Sequence, residues 1–294
     1  MPNLKDLKTR INSVKSTQKI TSAMKMVAAA KLRKAQESAE SGRPFAEKMQ
    51  SVISNLAKNA NSESASPLLI GKKNNNKHLI VMVSADKGLC GGFNSSIARY
   101  TRDYIENLDK AGKQYLVYVV GRKAGDVLTQ KISNNIFDKE EGIQGNFLKF
   151  SDVETVSKKI LSAFSDEKFG SVSIIFNSFV NAITQKVTLK NLIPAEINEN
   201  KSSVENKDIE RFYDYEPDEK DILDELLPQN ITTQIYSALL ESSAAELAAR
   251  MTAMDNATRN AGDMIDNLTL VYNRTRQANI TKELIEIISG AEAL

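Results

Sequence analysis

The residues best suited to chemistry lie in one glycine-rich stretch, SADKGLCGGFN, at residues 84–94. It follows an apolar run that reads as a strand and precedes a helical pattern, the place where backbone N–H groups and a helix N-terminus bind phosphate. Its glycines, Gly88, Gly91 and Gly92, match neither G-x-G-x-x-G nor G-x-x-x-x-G-K-[ST]. A tight strand-to-helix turn, which needs backbone freedom at positive φ, accounts for them as well. The structural explanation is preferred. The alternative is a flavodoxin-like nucleotide-binding protein whose helical arms serve for oligomerisation.

Other chemistries find less support. His78, the only histidine, stands at the start of a strand pattern, and Cys90, the only cysteine, has no histidine beside it. Neither a zinc site nor a Cys-His nucleophile is expected, and no disulfide can form within the chain. Cys90 reads as a small buried hydrophobe. The acidic groups Asp138, Glu140 and Glu141, and Asp218, Glu219 and Asp221, read as surface residues in loops or first helical turns. No residue set looks catalytic, and no cofactor or metal is expected. There is no apolar run of the length that spans a bilayer, and the N-terminus lacks the apolar stretch of a signal peptide, so a soluble, cytosol-facing chain is expected.

Three segments with different periodicities must position these residues. In the first, residues 4–58, Leu4, Leu7, Ile11 and Val14 and then Ile20, Met24 and Val27 predict one apolar stripe on a helix. Gly42 and Pro44 are expected to kink or interrupt it. Even so, about fifty-five residues at about 1.5 Å each would reach about 80 Å, far more than a globular helix. A polar linker at residues 59–77 leads to the second segment. There, residues 78–84, 115–120 and 172–180 read as buried strands, with helical patterns at 95–110, 122–130 and 152–164 between them. This is an α/β layer with right-handed crossovers. QKVTLKNLIPAE reads as an added edge strand, and residues 198–208 as a polar loop.

The third segment opens with a short acidic helix that Pro228 is expected to end or bend. Beyond it Met254, Ala257, Ala261, Met264, Leu268, Val271, Thr275 and Ala278 recur in alternating steps of three and four, which is a heptad seam. Extended upstream, the seam passes through Leu247, Ser243 and Leu240. Its small residues would let a partner helix approach closely. Charge nominates that partner: nine or more basic side chains and one acid, Asp6, lie between Lys5 and Lys34, whereas acids predominate from Asp218 onward. A basic arm could instead bind nucleic acid, but no aromatic residue precedes Phe45 to stack on bases. The expected architecture is one antiparallel coiled coil made by the two chain ends, with an α/β domain inserted. Near the C-terminus Ile280, Leu284, Ile285, Ile287 and Ile288 point almost all round the helix, so a two-stranded seam cannot cover them.

RINSVKSTQKITSAMKMVAAAKLRKAQ, SADKGLCGGFN and ARMTAMDNATRNAGDMIDNLTLVYNRTRQANITKELIEIISGA together closely resemble the gamma subunits of rotary, F-type ATP synthases of bacterial or mitochondrial kind. The likeness covers essentially the whole chain and keeps the motifs in order. It implies a non-catalytic central-stalk rotor: coiled-coil helices at residues 1–58 and 217–294, and a Rossmann-like α/β foot at 77–216. The implied partners are the alpha and beta subunits of the catalytic ring, the epsilon subunit and the membrane c-ring, with catalysis in beta and no direct membrane insertion. The implied location is peripheral, on the cytoplasmic face of the bacterial inner membrane. Positions matching the family's contact residues are Met24, Lys25, Arg250, Arg276, Gln277 and Thr281. Ile285 and Ile288, on the apolar tip, join them as bearing contacts.

Overall fold

A computed structural model describes residues 3–59, 66–72, 75–143, 148–195 and 219–292. The predicted polar loop at 198–208 lies outside them, as does part of the 59–77 linker. In chain order the elements are α1 (Leu4–Asn59), α2 (Pro67–Ile70), β1 (Lys77–Val83), α3 (Phe93–Lys110), β2 (Gln114–Val120), α4 (Arg122–Ile132), β3 (Ile136–Glu140), α5 (Phe150–Ser165), β4 (Ser171–Phe179), β5 (Gln185–Ile193) and α6 (Glu219–Glu292). The chain divides into two compact units, Met1–Ala30 with Arg250–Leu294, and Lys31–Ala249.

The unit Lys31–Ala249 is built on a five-stranded sheet in the order β3-β2-β1-β4-β5. The first four strands run parallel and β5 is antiparallel to β4. Parallel strands covered on both faces read as unbroken apolar runs, and β1, with Leu79 to Val83 all buried, is one. Successive side chains therefore enter different cores. Leu79, Val81, Val83, Tyr118 and Ile174 pack against α5 and the Ile231–Leu239 stretch of α6; Ile80, Met82, Val117, Val119 and Ile175 pack against α3 and α4. The N-terminus of α5 is closed by Asp152, whose carboxylate accepts the Lys149 N–H at 3.3 Å.

Three expectations are corrected in this unit. The helix α1 runs unbroken through Gly42 and Pro44, and α6 through Pro228. A proline inside a helix costs about 3 kcal/mol, and packing on either side outweighs it. Met49 and Ile53 of α1 join a cluster with Leu69, Leu223 and Leu227, and Pro228 stands between the buried Leu227 and Ile231. The acidic residues Asp138 and Glu140 lie in a strand, β3, rather than a loop. There Lys159 of α5 bridges both carboxylates at 2.8 Å, and this pairing holds the Asp138 carboxyl below the usual range. Finally, Leu240 is buried here, but Ala245 and Ala249 join the α3–α4 core, so the upstream stretch of α6 is packed by the sheet's helices as well as by any heptad seam.

In the unit Met1–Ala30 with Arg250–Leu294, α1 and α6 lie antiparallel. Gln18 faces Gly262, Thr21 faces Thr258 and Lys25 faces Asp255. The α1 seam follows Leu4, Leu7, Ile11 and Val14 as expected and then continues the same heptad through Gln18, Thr21, Lys25 and Ala28. Ile20 and Val27 are instead exposed, at 60% and 56%. On α6 the inward set is Met254, Thr258, Ala261, Ile265, Leu268, Tyr272, Thr275 and Asn279. Half of the predicted seam therefore holds, while Met264 and Val271 point outward, 50% and 45% exposed, with Ala278 also exposed and Ala257 only partly covered.

Candidate partner-contact site

The glycine-rich corner is closed by the chain's own polar groups. Ser84, fully buried at the end of β1, donates its N–H to Val120 O at 2.8 Å and its hydroxyl to Gly121 O at 3.1 Å, and the same oxygen accepts the Ala124 N–H at 3.3 Å. The Lys123 N–H goes to Ala85 O at 3.0 Å. Two first-turn donors of α4 are thus directed to β1 and its loop. Across the loop, Asn94 Oδ1 accepts the Ala85 N–H at 3.0 Å, and Asn94 Nδ2 lies 3.2 Å from Cys90 Sγ, a buried thiol.

Of the loop glycines only Gly91 takes a positive φ, +57°, and the non-glycine Leu89 takes +65° beside it. A position where glycine is obligatory lies elsewhere. Gly121, just after β2, has φ +92°, and a Cβ there would sit 1.9 Å from the Ser84 carbonyl oxygen. Sequence reasoning missed it, although a glycine directly between a strand and a helix is the usual sign of such an approach.

At the opposite end of the sheet, His78 Nε2 lies 3.0 Å from Ser173 Oγ and 3.3 Å from the Tyr104 hydroxyl, and Nδ1 pairs with Ser171 Oγ. Burial first, and the Lys113 charge second, lower its pKa to about 4, so the ring is neutral near pH 7. Among the described residues no cluster of His, Cys, Asp or Glu could hold a metal ion.

The predicted contact residues fall in the helical unit at two levels. At the lower level Met24 is half-buried beside the seam, and Lys25 reaches across it to Asp255 at 2.6 Å. Asp255 also receives Arg259 from its own helix at 2.7 Å, and the Lys25 hydrogen bond, assisted by the Arg259 charge, holds its carboxyl below the usual range. Arg250 is half-buried at the foot of this level. The upper level begins about 30 Å further along α6, at about 1.5 Å per residue, with Arg276 and Gln277, both exposed. Carried to Leu4, the observed register meets α6 at about Arg276. From Ile280 onward α6 therefore runs past the first turn of α1, and every described side chain from Ile280 to Ala291 is exposed, Thr281, Ile285 and Ile288 included.

Residues outside the predicted set are exposed too. Asn260, Asp263, Met264, Asn267 and Val271, with the edge of the half-buried Leu268, line a shallow groove along α6. Lys25–Asp255 is a cross-helix ion pair in this unit, set among the buried apolar and small residues Leu7, Ile11, Ala28, Met254 and Ala261. Among the described residues no helix is long and apolar enough to cross a membrane.

Comparison with known proteins agrees with this arrangement. The family model described as ATP synthase matches residues 3–294. Proteins named ATP synthase gamma chain from Rhizobium etli and Allorhizobium ampelinum are 49% and 48% identical, each over 100% of both chains. Among solved structures, the central stalk and c-ring of the Tetrahymena thermophila mitochondrial ATP synthase contains a chain 27% identical, with a TM-score of 0.60, covering 81% of this chain and 99% of that one. A chain of the Euglena gracilis mitochondrial ATP synthase, 19% identical, shares the fold with a TM-score of 0.68 over 99% of this chain and 94% of its own. Helical pair, inserted parallel sheet and full-length likeness lead to one conclusion: the chain belongs to the ATP synthase gamma chain family, a non-catalytic central-stalk subunit.

Proposed function

We propose that the helical unit acts as a shaft that couples proton flow through a membrane c-ring to ATP synthesis in a surrounding ring of alpha and beta subunits, with the catalytic chemistry in beta. The observation that carries this reading is the end of α6, where Ile280, Leu284, Ile285, Ile287 and Ile288 are exposed all round an unaccompanied helix. Apolar surface of that kind requires a sleeve. Ile285 and Ile288 are its bearing residues, and Thr281 lies at its lower rim. Below it Arg276 and Gln277 reach toward loops of the ring, where the Arg276 guanidinium can hold a carboxylate through two parallel hydrogen bonds. Met24, Lys25 and Arg250 make a second level of contact near the moving parts of beta. The α/β domain, residues 77–216, is the foot on the c-ring and the seat of the epsilon subunit. The subunit works peripherally, on the cytoplasmic face of a bacterial inner membrane.

A shaft biases its partners only through contacts that differ between their states. Asymmetry suits this chain, because the apolar groove on α6 and the basic residues on α1 give its sides different chemistry. The test replaces Arg276 and Gln277 together by alanine and, separately, deletes residues 290–294, which follow the last apolar turn. Membranes from complemented cells are assayed for ATP synthesis and for the amount of assembled complex. The double replacement is expected to lower coupling or assembly and the deletion to cost little. The opposite pattern, with the deletion abolishing both and the double replacement silent, would move the working contacts to the extreme end.

A further inference from the structure

The middle of the helical pair's seam is polar, although large aliphatic side chains stand beside it in solvent. Between the apolar layers of Leu7, Ile11 and Val14 at one end and Ala28 at the other, three successive levels carry Gln18 against Gly262, Thr21 against Thr258 and Lys25 against Asp255. Beside the seam of α6 lies a second stripe with the same heptad spacing, Ala257, Met264 and Val271, and beside the polar levels of α1 stand Ile20 and Val27. At these three levels, burial of apolar area alone would favour Ile20, Val27 and Met264 on the inside. Little rotation separates the alternatives. On α6 the two seams share Met254, Ala261 and Leu268, so about 50° distinguishes them, and on α1 about one residue, or about 100°.

We propose that these three polar levels form an azimuthal lock, which fixes the rotation of α1 and α6 about their own axes and so keeps Ile20, Val27, Met264 and Val271 on the outside. Two of the levels carry a directional contact and the third a steric one, and the alternative seam would break them. Lys25 Nζ lies 2.6 Å from Asp255, and the two threonine hydroxyl oxygens lie 2.8 Å apart. Gly262 supplies a notch: a Cβ there would come within 3.3 Å of Gln18 Nε2, so the glutamine occupies space that another residue would fill. A single polar seam position is known to specify one arrangement of a coiled coil at some cost in stability, and here three stand in succession. The lock rests on the pairing geometry and not on the role proposed for the shaft.

The test reads rotation directly in the full chain, with Cys90→Ala as background. Single cysteines are placed outside, at Val27→Cys or Met264→Cys, and inside, at Ala28→Cys or Ile265→Cys, and their maleimide labelling rates are compared. With the lock intact, outside sites are expected to label at least about tenfold faster than inside ones. The paired replacement Lys25→Met with Asp255→Leu removes the ion pair without stranding a charge, and is expected to reduce the contrast to about twofold while far-UV helicity is kept. Lys25→Arg with Asp255→Glu, which keeps the pair, is expected to keep the contrast. The proposal is overturned if the Met/Leu protein retains the tenfold contrast, if it loses contrast only together with helicity, or if the Arg/Glu protein loses contrast as well.

Discussion

Gly121→Ala probes the corner where β1, β2 and α4 meet. The added Cβ would stand 1.9 Å from the Ser84 carbonyl oxygen, 2.6 Å from its carbon and 3.0 Å from Oγ, all in a residue with no exposed surface. Backbone contacts that short cannot be relieved by a rotamer, so Ser84 must move. Its movement disturbs the Ser84 N–H bond to Val120 O and the hydroxyl bonds to Gly121 O and from Ala124 N. Each buried bond lost costs about 1–3 kcal/mol, and a φ of +92° adds about 1–2 kcal/mol for any residue with a Cβ. With partial relaxation the sum is about 3–6 kcal/mol. Gly112→Ala is the control, because its φ of +67° carries the same conformational cost while its Cβ would meet nothing within 4 Å. Hydrogen exchange of peptides covering residues 77–85 and 114–124, followed with urea unfolding of the full chain, measures the difference within the sheet. If Gly121→Ala proves no more than about 1 kcal/mol worse than Gly112→Ala, close approach to Ser84 is not what requires glycine there.

Acid should weaken the sheet through His78. Its pKa in the folded protein, about 4, lies below the unfolded value, so the neutral ring favours the folded state above about pH 6.5, and that stability is lost as the pH falls toward 4, by up to about 1.4 kcal/mol per unit. His78→Gln should flatten this limb of a stability-against-pH curve, and an unchanged slope would place the acid sensitivity elsewhere. The observed seam is tested by alanine at adjacent positions. Ile265→Ala should cost about 1–3 kcal/mol in thermal unfolding of the helical unit and Met264→Ala less than about 0.5, whereas the seam read from apolar spacing requires the reverse order. Phe169→Ala, which removes a ring packed 6.0 Å from Phe137 and 6.2 Å from Phe164, should cost about 3–5 kcal/mol, and urea unfolding reads it directly.

The strands that were legible were those buried on both faces. β1 and β2 are apolar along most of their length, β4 is apolar at its centre, Ile174–Phe176, and β5 was read as an added edge strand. β3 was not, because IFDKE is short and mostly charged, and it belongs to the sheet through its ladder to β2, the packing of Phe137 and the Lys159 bridge from α5. The prolines misled for a related reason. Local rules weigh the missing hydrogen bond at Pro44 or Pro228, whereas the helices persist because Ile53, Leu227 and Ile231 are buried by residues distant in sequence. Of the contact residues, the exposure of Ile285 and Ile288 was foreseeable from the all-round apolar pattern, whereas Arg276, Gln277 and Thr281 were named by the family resemblance alone. The engagement of Lys25 with Asp255 was not, since nothing in either residue's local sequence names its partner.

The seam marks where pattern reading and physics part. Counting apolar residues on α6 selects Met264 and Val271, and it fails because apolar area does not orient: it is nearly indifferent to a rotation of about 50° when both candidate stripes share half their members. Hydrogen bonds and ion pairs have direction, and the cross-helix contacts Thr21–Thr258 and Lys25–Asp255 form only at a rotation that sets those side chains face to face. The less apolar seam is then the better specified one, at the expense of leaving large aliphatic side chains in solvent. For an isolated globular protein that would be a liability. For a helical pair destined to be enclosed by other subunits it has a use, because the residues excluded from the seam supply the surface that the enclosing subunits can grip. The polar levels of the seam and the aliphatic side chains left outside it are therefore two consequences of one choice of rotation.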